Sequence, residues 1–572
     1  MNSDFDIEKI KTKSNELTVK VNGFLLHSKY DPKKEALQFV KRNYKANSLH
    51  ILYGYGLGYI ADAFIDLFGI NEELLVIDPL YDLLNSGIEP KVEVYRNIEE
   101  IMFNKKLDAK IEKYNRRIHV IQSPNYDKLA NDSYKEMLEK VTEQAKLNRI
   151  NENTIRFFAE DWQKNYLFNL YNGIEDKSLI DLREKFDLPI VVVSGGPSLT
   201  KQLPLLNEVK DQFLIIAAGS TINTLLSSNI IPDFVVSVDG SLANYNHFKD
   251  IHSKQITYIY SFTSHFGIRD SFEKTAFIFN TLGKEKMKDH FESITNLKLP
   301  NIAGGGSVAN FAFTVAAYIT SGPIAIIGQD LAYTNNRTHA ENNKRYKVID
   351  EEYKEARGMF LTEGYYNDEV LTDYVFLSMK KSFESLLLLI DIEREVYNCT
   401  EGGIHLKGFK KLPFLDFCQK NVKNTVVKKD IPDHQIGQNR TILLIRMKKE
   451  LDIYRKIKNY LIDNLKLLKI KNSNNSFLES ILRKLNTNDE KLKKLIGEVS
   501  MISILDPILI NIQNNFLPSP NETAKDSFQR VFNQNKELYS SLIKALDFTV
   551  GYTEDLITKI EVNEVKKNGK TN

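Results

Sequence analysis

Apolar residues in the middle of this chain come in short unbroken runs, separated by longer stretches with helical spacing. The runs are Ile190–Ser194, Phe213–Ala217, Phe234–Val238, Thr257–Tyr260, Ala276–Phe279 and Ile324–Ile327. Runs of this length without polar alternation predict strands covered on both faces. That in turn predicts a parallel sheet with helices on each side. A smaller version of the pattern comes earlier, with strands at Leu49–Tyr53, Leu74–Ile77 and Ile118–Gln122 and a helix from about Tyr59 to Phe68. Ahead of it, residues 17–30 alternate around Asn22-Gly23, which predicts a hairpin, and Asp31-Pro32 opens a helix. Beyond residue 440 the spacing changes: Met447, Leu451, Tyr454, Ile457, Leu461, Leu465 and Leu468 form one stripe at steps of three or four. The expected fold class is therefore α/β for the first two-thirds and an all-α helical bundle at the C-terminal end.

At 572 residues the chain is too long for one core. The pattern divides it into an N-terminal domain (1–125), a helical connector (126–186), a central domain (187–422), a polar linker (423–440) and a C-terminal helical domain (441–572). The connector gathers Phe157, Phe158, Trp162, Tyr166, Phe168 and Tyr171, read as interdomain core rather than as a stacking platform.

In parallel sheets ligands bind beyond the C-terminal ends of the strands. The loops at those ends carry the chemistry. After the first central strand comes Gly195-Gly196-Pro197-Ser198, a turn that opens a helix. Such a turn is expected to aim unpaired N–H groups and a helix dipole at an anion. Gly219-Ser220-Thr221, Asp239-Gly240-Ser241 and Gly328-Gln329-Asp330 follow later strands. Ala303-Gly304-Gly305-Gly306-Ser307 precedes the apolar helix Ala309–Ile319, and Asn398-Cys399-Thr400-Glu401-Gly402-Gly403 closes the domain. One such loop is an ordinary tight turn. Together on one sheet edge they predict a site for a nucleotide-type ligand. The polar segment after Tyr333 holds His339, placed to reach that edge and take a proton. In the N-terminal domain, Gly54-Tyr55-Gly56-Leu57-Gly58 with Asp78 about 20 residues beyond has the layout of a nucleotide-binding unit. The motif is incomplete, and glycines that merely permit close packing are the favoured reading there.

Composition narrows the function classes. A net charge of +2, from 77 basic and 75 acidic residues, gives no case for nucleic-acid binding. Two cysteines exclude a disulfide framework and suit a reducing compartment, and Cys399 is expected to be buried and inert. No secretory signal is visible, and the densest apolar run, Leu386–Ile390, is far short of the ~18 residues a membrane helix needs. A cytoplasmic protein with no membrane partner is expected. No metal-ligand cluster with zinc spacing is seen, so no metal is expected.

Several motifs in order resemble one family: SGGPSL at 194–199, SVDG at 237–240, AGGGSVA at 303–309, GQDLAY at 328–333, THAE at 338–341 and NCTEGG at 398–403. With LHSKYDPKKEA at 26–36 and GYGLGY at 54–59, they are similar to the motility accessory factor (Maf) glycosyltransferases, which glycosylate flagellin. The resemblance covers most of 26–410 and is weakest in the C-terminal helices. It implies a Rossmann-like N-terminal domain, a central domain resembling bacterial sialyltransferases and a helical C-terminal domain. It also implies transfer of a nonulosonic acid, pseudaminic or legionaminic, from its CMP-activated form to flagellin Ser or Thr. No cofactor beyond that donor is implied. By the resemblance, Gly195, Gly196, Pro197 and Ser198 would hold the CMP part and Ser307 would face the phosphate or cytidine; Ser220, Gly306, Gln329, Thr400 and Glu401, from the same set of loops, are the further candidates for holding the donor. His339 would be the general base, Tyr333 would stand near the phosphate, and Asp239 and Asp330 are rivals for the base or for ribose and acceptor contacts. The central domain also resembles archaeal 6-hydroxymethylpterin diphosphokinases, which would need ATP and magnesium. A flagellin-binding chaperone with a relic nucleotide site is the non-enzyme alternative.

Overall fold

The unbroken apolar runs are buried parallel strands. The computed structural model describes residues 5–85, 89–389, 394–422, 431, 440–470, 478–501, 503–519 and 522–568. Most of the expected linker, 423–430 and 432–439, lies outside the described residues. The chain divides into two units, Met1–Thr154 with Gln513–Val531, and Ile155–Ile512 with Phe532–Asn572.

The first unit opens with an antiparallel sheet of β1 (Ile7–Lys11), β2 (Leu17–Val21) and β3 (Phe24–Leu25). Val21 pairs with Phe24, leaving Asn22 and Gly23 as the two-residue turn, both at positive φ (47° and 88°). That is the turn geometry Asn-Gly favours, because it matches the twist of the flanking strands. β1 escaped the sequence reading because its side chains are mostly exposed and its pattern polar. Next come β4 (Leu49–Tyr53), β5 (Glu73–Ile77), β6 (Val94–Tyr95) and β7 (Ile118–Gln122), a parallel sheet in the order β6-β5-β4-β7. The segment Gln513–Val531 joins this unit, where Asn47 Nδ2 donates to the Pro518 carbonyl at 2.6 Å.

The second unit is built on a large parallel sheet. Its strands are β8 (Lys177–Ser178), β9 (Ile190–Val193), β10 (Leu214–Ala218), β11 (Phe234–Ser237), β12 (Thr257–Ser261), β13 (Phe277–Thr281), β14 (Asn301–Ile302) and β15 (Ile324–Ile327). A small antiparallel hairpin, β16 (Phe360–Glu363) and β17 (Glu369–Thr372), stands apart, and β18 (Val396–Asn398) and β19 (Lys410–Lys411) complete the main sheet. The order is β14-β13-β12-β11-β10-β9-β15-β18-β19, with β8 beside β13. Successive residues of each central strand enter opposite cores. Val191, Val193, Ile215 and Val235 pack with Tyr166, Leu170 and Tyr171 of the helix Asn131–Gly173. Ile190, Val192, Leu214 and Phe234 pack with Ala312, Phe313 and Ile319 of the helix Val308–Ile319. Tyr166, Phe168 and Tyr171 are thus core of the central sheet itself, whereas Phe157 is 77% exposed.

The C-terminal stripe is buried as its spacing predicts. Tyr454, Ile457, Leu461 and Leu468 of the helix Arg440–Leu468 pack against the helix Glu479–Ile496, while Met447 joins the central core. Among the described residues no helix is long and apolar enough to cross a membrane.

Candidate active site at the edge of the central sheet

The main sheet reverses its strand order at β9. From β9 the chain steps outward through β10 to β14, then returns to lay β15 on the other side of β9. A crevice opens beyond the strand ends at such a reversal. The turn Gly195–Ser198 lies there, followed by the helix Leu199–Val209.

The turn is filled differently from expectation. Its Gly196 and Ser198 N–H groups are not free for an anion. The Gly196 N–H donates to the Gly328 carbonyl at 2.8 Å, and the Ser198 N–H reaches both carboxylate oxygens of Asp330 at 3.2 Å. Ser198 Oγ donates to Asp330 Oδ1 at 2.6 Å, and Thr334 Oγ1 donates to the same oxygen at 2.8 Å. Asp330 is 1% exposed, and burial pushes its carboxyl above the usual range against these hydrogen bonds. It fastens the turn from the neighbouring strand end and has no access to an acceptor hydroxyl. The rival-base reading of Asp330 is therefore corrected. Gly196 is required because a Cβ there would meet Asp330 Oδ2 at 2.1 Å.

The N-terminal unit uses the same device. Tyr55 and Gly56 N–H groups donate to Asp78 Oδ2 at 2.9 and 3.1 Å, and Tyr126 Oη joins them at 2.7 Å. Asp78 is fully buried. Cβ atoms on Gly54, Gly56 and Gly58 would strike Tyr126, His27 and Tyr55 at 2.5 to 2.6 Å. The close-packing reading of these glycines is the one the geometry supports, and Asp78 faces the loop rather than a ribose.

His339 stands on the other side of the Gly195 turn. The Ala340 N–H donates to the Gly195 carbonyl at 2.9 Å, tying the His339 segment to it. A Cβ on Gly195 would lie 3.0 Å from Asn343 Nδ2, 3.1 Å from Thr221 Oγ1 and 3.8 Å from His339 Cδ2. Burial, and after it the Arg345 charge, lowers the His339 pKa to about 4. The ring is thus neutral at pH 7, and Nδ1 is buried without a hydrogen-bond partner. A neutral imidazole has a ring nitrogen that can accept a proton.

The other expected residues divide. Thr400 Oγ1 accepts the Gln329 N–H at 3.2 Å, and Gln329 Oε1 is buried without a partner. The Glu401 carboxylate accepts the Phe414 N–H at 3.1 Å, and its carbonyl is held by Lys201 Nζ. Pro197, Ser198, Lys201, Thr334, Arg337 and Glu401 border a cavity of about 270 Å³ beside the turn. Leu331 and Glu401, at φ 49° and 54°, are left-handed in the loops that meet there. Such conformations cost energy that surrounding packing must hold. Asp239 is partly exposed and accepts the Ser241 N–H at 2.9 Å. Ser220 is half-buried ahead of the helix Thr221–Ser227, and its carbonyl accepts from Asn223.

Two further expected residues have partners within the protein. The Tyr333 hydroxyl donates to Asp373 at 2.8 Å and accepts from Arg357 Nε at 3.3 Å, and burial raises its pKa. Asp373 and Arg357 therefore orient it. Ser307 caps its helix, accepting the Asn310 N–H at 3.3 Å and donating to Asn310 Oδ1 at 2.7 Å, while Gly306 before it is exposed. The residues that sequence reasoning missed are His247, Asn343 and Arg345. Asn343 and Arg345 carried one signal, a cationic and amide-rich stretch directly after His339, and His247, in a distant helix, carried none.

Residues 164–336 match the family model described as 6-hydroxymethylpterin diphosphokinase MptE-like. No curated protein matches the chain. Among solved structures, that of MAf glycosyltransferase from Magnetospirillum magneticum AMB-1 is similar, at 13% identity and TM-score 0.50. The likeness covers 97% of this chain and 91% of that one. The chain shares that fold. The likeness spans both α/β regions and the C-terminal helices, whereas the MptE-like match is confined to strands β8–β15 of the main sheet and the end of the helix before them.

Proposed function

We propose that this protein is a glycosyltransferase that moves a nonulosonic acid, pseudaminic or legionaminic, from its CMP-activated form to serine or threonine of flagellin in the cytoplasm. The observation that carries the chemistry is His339, neutral and with Nδ1 unpartnered, beside Gly195 at the reversal point of the sheet. The fold shared with a Maf glycosyltransferase supports the class of reaction. In this reading the acceptor oxygen attacks the anomeric carbon with inversion as its proton passes to His339. The bond from that carbon to the phosphate oxygen breaks, and CMP leaves with the electron pair. Asp330 keeps the turn in shape and takes no part in proton transfer.

The MptE-like match supports a second reading, an ATP- and magnesium-dependent diphosphokinase. The strand-end aspartate it would place on magnesium, Asp330, is engaged by Ser198 and Thr334. Calorimetric titration with CMP, and separately with ATP plus magnesium, divides the two. CMP binding, followed by flagellin modification that His339→Ala abolishes while CMP affinity is kept, bears out the first. ATP binding that needs magnesium, without response to CMP, replaces it with the second.

A further inference from the structure

Arg345 differs from the neighbouring cations in what holds it. Arg337 is paired with Glu341 at 2.9 Å, and Lys344 stands 3.7 Å from Asp250. Arg345 meets no carboxylate among the described residues. It is held instead by Nε, which donates to His247 Nε2 at 3.0 Å. An arginine is always a donor, so His247 must accept through Nε2 and stay neutral. His247 is 6% exposed, and burial with the Arg345 and Lys344 charges holds its pKa near 4. A buried neutral ring therefore fixes the root of an exposed guanidinium, and the two outer nitrogens remain available as a fork.

A second donor is placed independently. Asn343 is 5% exposed, and its Oδ1 accepts the Arg345 N–H at 2.9 Å, which settles the amide orientation. Its Nδ2 is then a donor, buried, without a partner and set against Gly195. Leaving such a buried donor unsatisfied is costly, and a ligand oxygen would relieve it. A guanidinium fork and an orphaned amide N–H, on residues joined by the Arg345 N–H to Asn343 Oδ1 bond, each suit an oxyanion.

We infer that Arg345 and Asn343 bind an oxyanion of the substrate, a carboxylate or a phosphate, with His247 as the positioning residue. This rests on the transferase reading for the identity of the substrate but not for the anion site itself. An acidic sugar nucleotide offers both groups, and a neutral sugar lacks the first.

The test is calorimetry on the full-length protein with cytidine, CMP and CMP-N-acetylneuraminate, and a thermal-shift series with inorganic phosphate and acetate. Arg345→Gln, an exposed change, and Asn343→Ala are each compared with wild type. If the phosphate is bound, Arg345→Gln weakens CMP about tenfold or more and leaves cytidine unchanged. If the carboxylate is bound, CMP is unchanged and CMP-N-acetylneuraminate weakens by that factor. His247→Gln, which keeps an acceptor, should retain affinity that His247→Leu loses at equal melting temperature. Variants that bind every probe as wild type does overturn the proposal. A wild type silent to all cytidine compounds but stabilised by phosphate or acetate through Arg345 overturns the CMP-sugar reading and keeps the anion site. Silence to every anion overturns both.

Discussion

Asp330 occupies the space that Gly196 leaves: a side chain at Gly196 would begin 2.1 Å from Asp330 Oδ2 and 2.6 Å from the Gly328 carbonyl. The carboxylate acts as a built-in anion for the turn, in the place where a phosphate was expected.

Gly196→Ala should therefore displace Asp330 and not merely crowd it. Backbone on one side and a buried carboxylate on the other leave little room to relax. A loss of roughly 1–3 kcal/mol is expected, with weaker CMP binding, measured by denaturant unfolding and calorimetry. Asp330→Asn keeps the shape but loses the charge on the Ser198 bonds. It should lower stability and leave any residual transfer with the same pH profile. A changed profile would restore Asp330 as a base.

Asp78→Ala should unfold the N-terminal unit before the rest. It strips an acceptor from the Tyr55, Gly56 and Leu80 N–H groups and the Tyr126 hydroxyl. Each orphaned donor costs about 1–3 kcal/mol. Two transitions in a melting curve that shows one for wild type would check this. Titration of wild type with NAD should give no heat, because the loop is already satisfied.

Acid should destabilise the protein earlier than carboxylate protonation alone would. His27, His50, His247, His265 and His339 all have pKa values lowered to about 4, chiefly by burial. Unfolding returns them to about 6.5. Between pH 6.5 and about 4 the unfolded chain binds more protons, so stability falls as pH falls through that window. Asp78 and Asp330, raised on folding, act in the opposite sense. His27→Gln keeps an acceptor for the Leu57 N–H and should flatten the slope of melting temperature against pH. Transfer should keep its rate down to about pH 4 before the acidic limb appears, where an unperturbed histidine would lose it near 6.5.

The strands were legible because a strand buried on both faces has no polar alternation to hide it. Ile190–Val193 and Ile324–Ile327 stand out as runs. The Asn22-Gly23 turn was legible because φ above zero leaves few residue choices. What fills the Gly-rich turns was not. A glycine that admits a phosphate and one that admits Asp78 or Asp330 look the same in sequence, and only the tertiary approach tells them apart. Tyr333 and Ser307 were read by type, whereas Asp373 and Asn310 decide what their hydroxyls do. His247 and Arg345 lie 98 residues apart, so no local spacing joins them.

The N-terminal unit draws its last piece from Gln513–Val531, after the whole central sheet has been made. On the ribosome, residues 1–154 leave the exit tunnel long before that piece exists. At roughly 5–20 residues per second the wait is about 20 to 75 seconds. Through that interval the nascent unit lacks the Pro518 carbonyl that Asn47 will meet, and a stall before residue 513 would leave it incomplete. Completion of the first-made unit is thus timed by translation of the last helices.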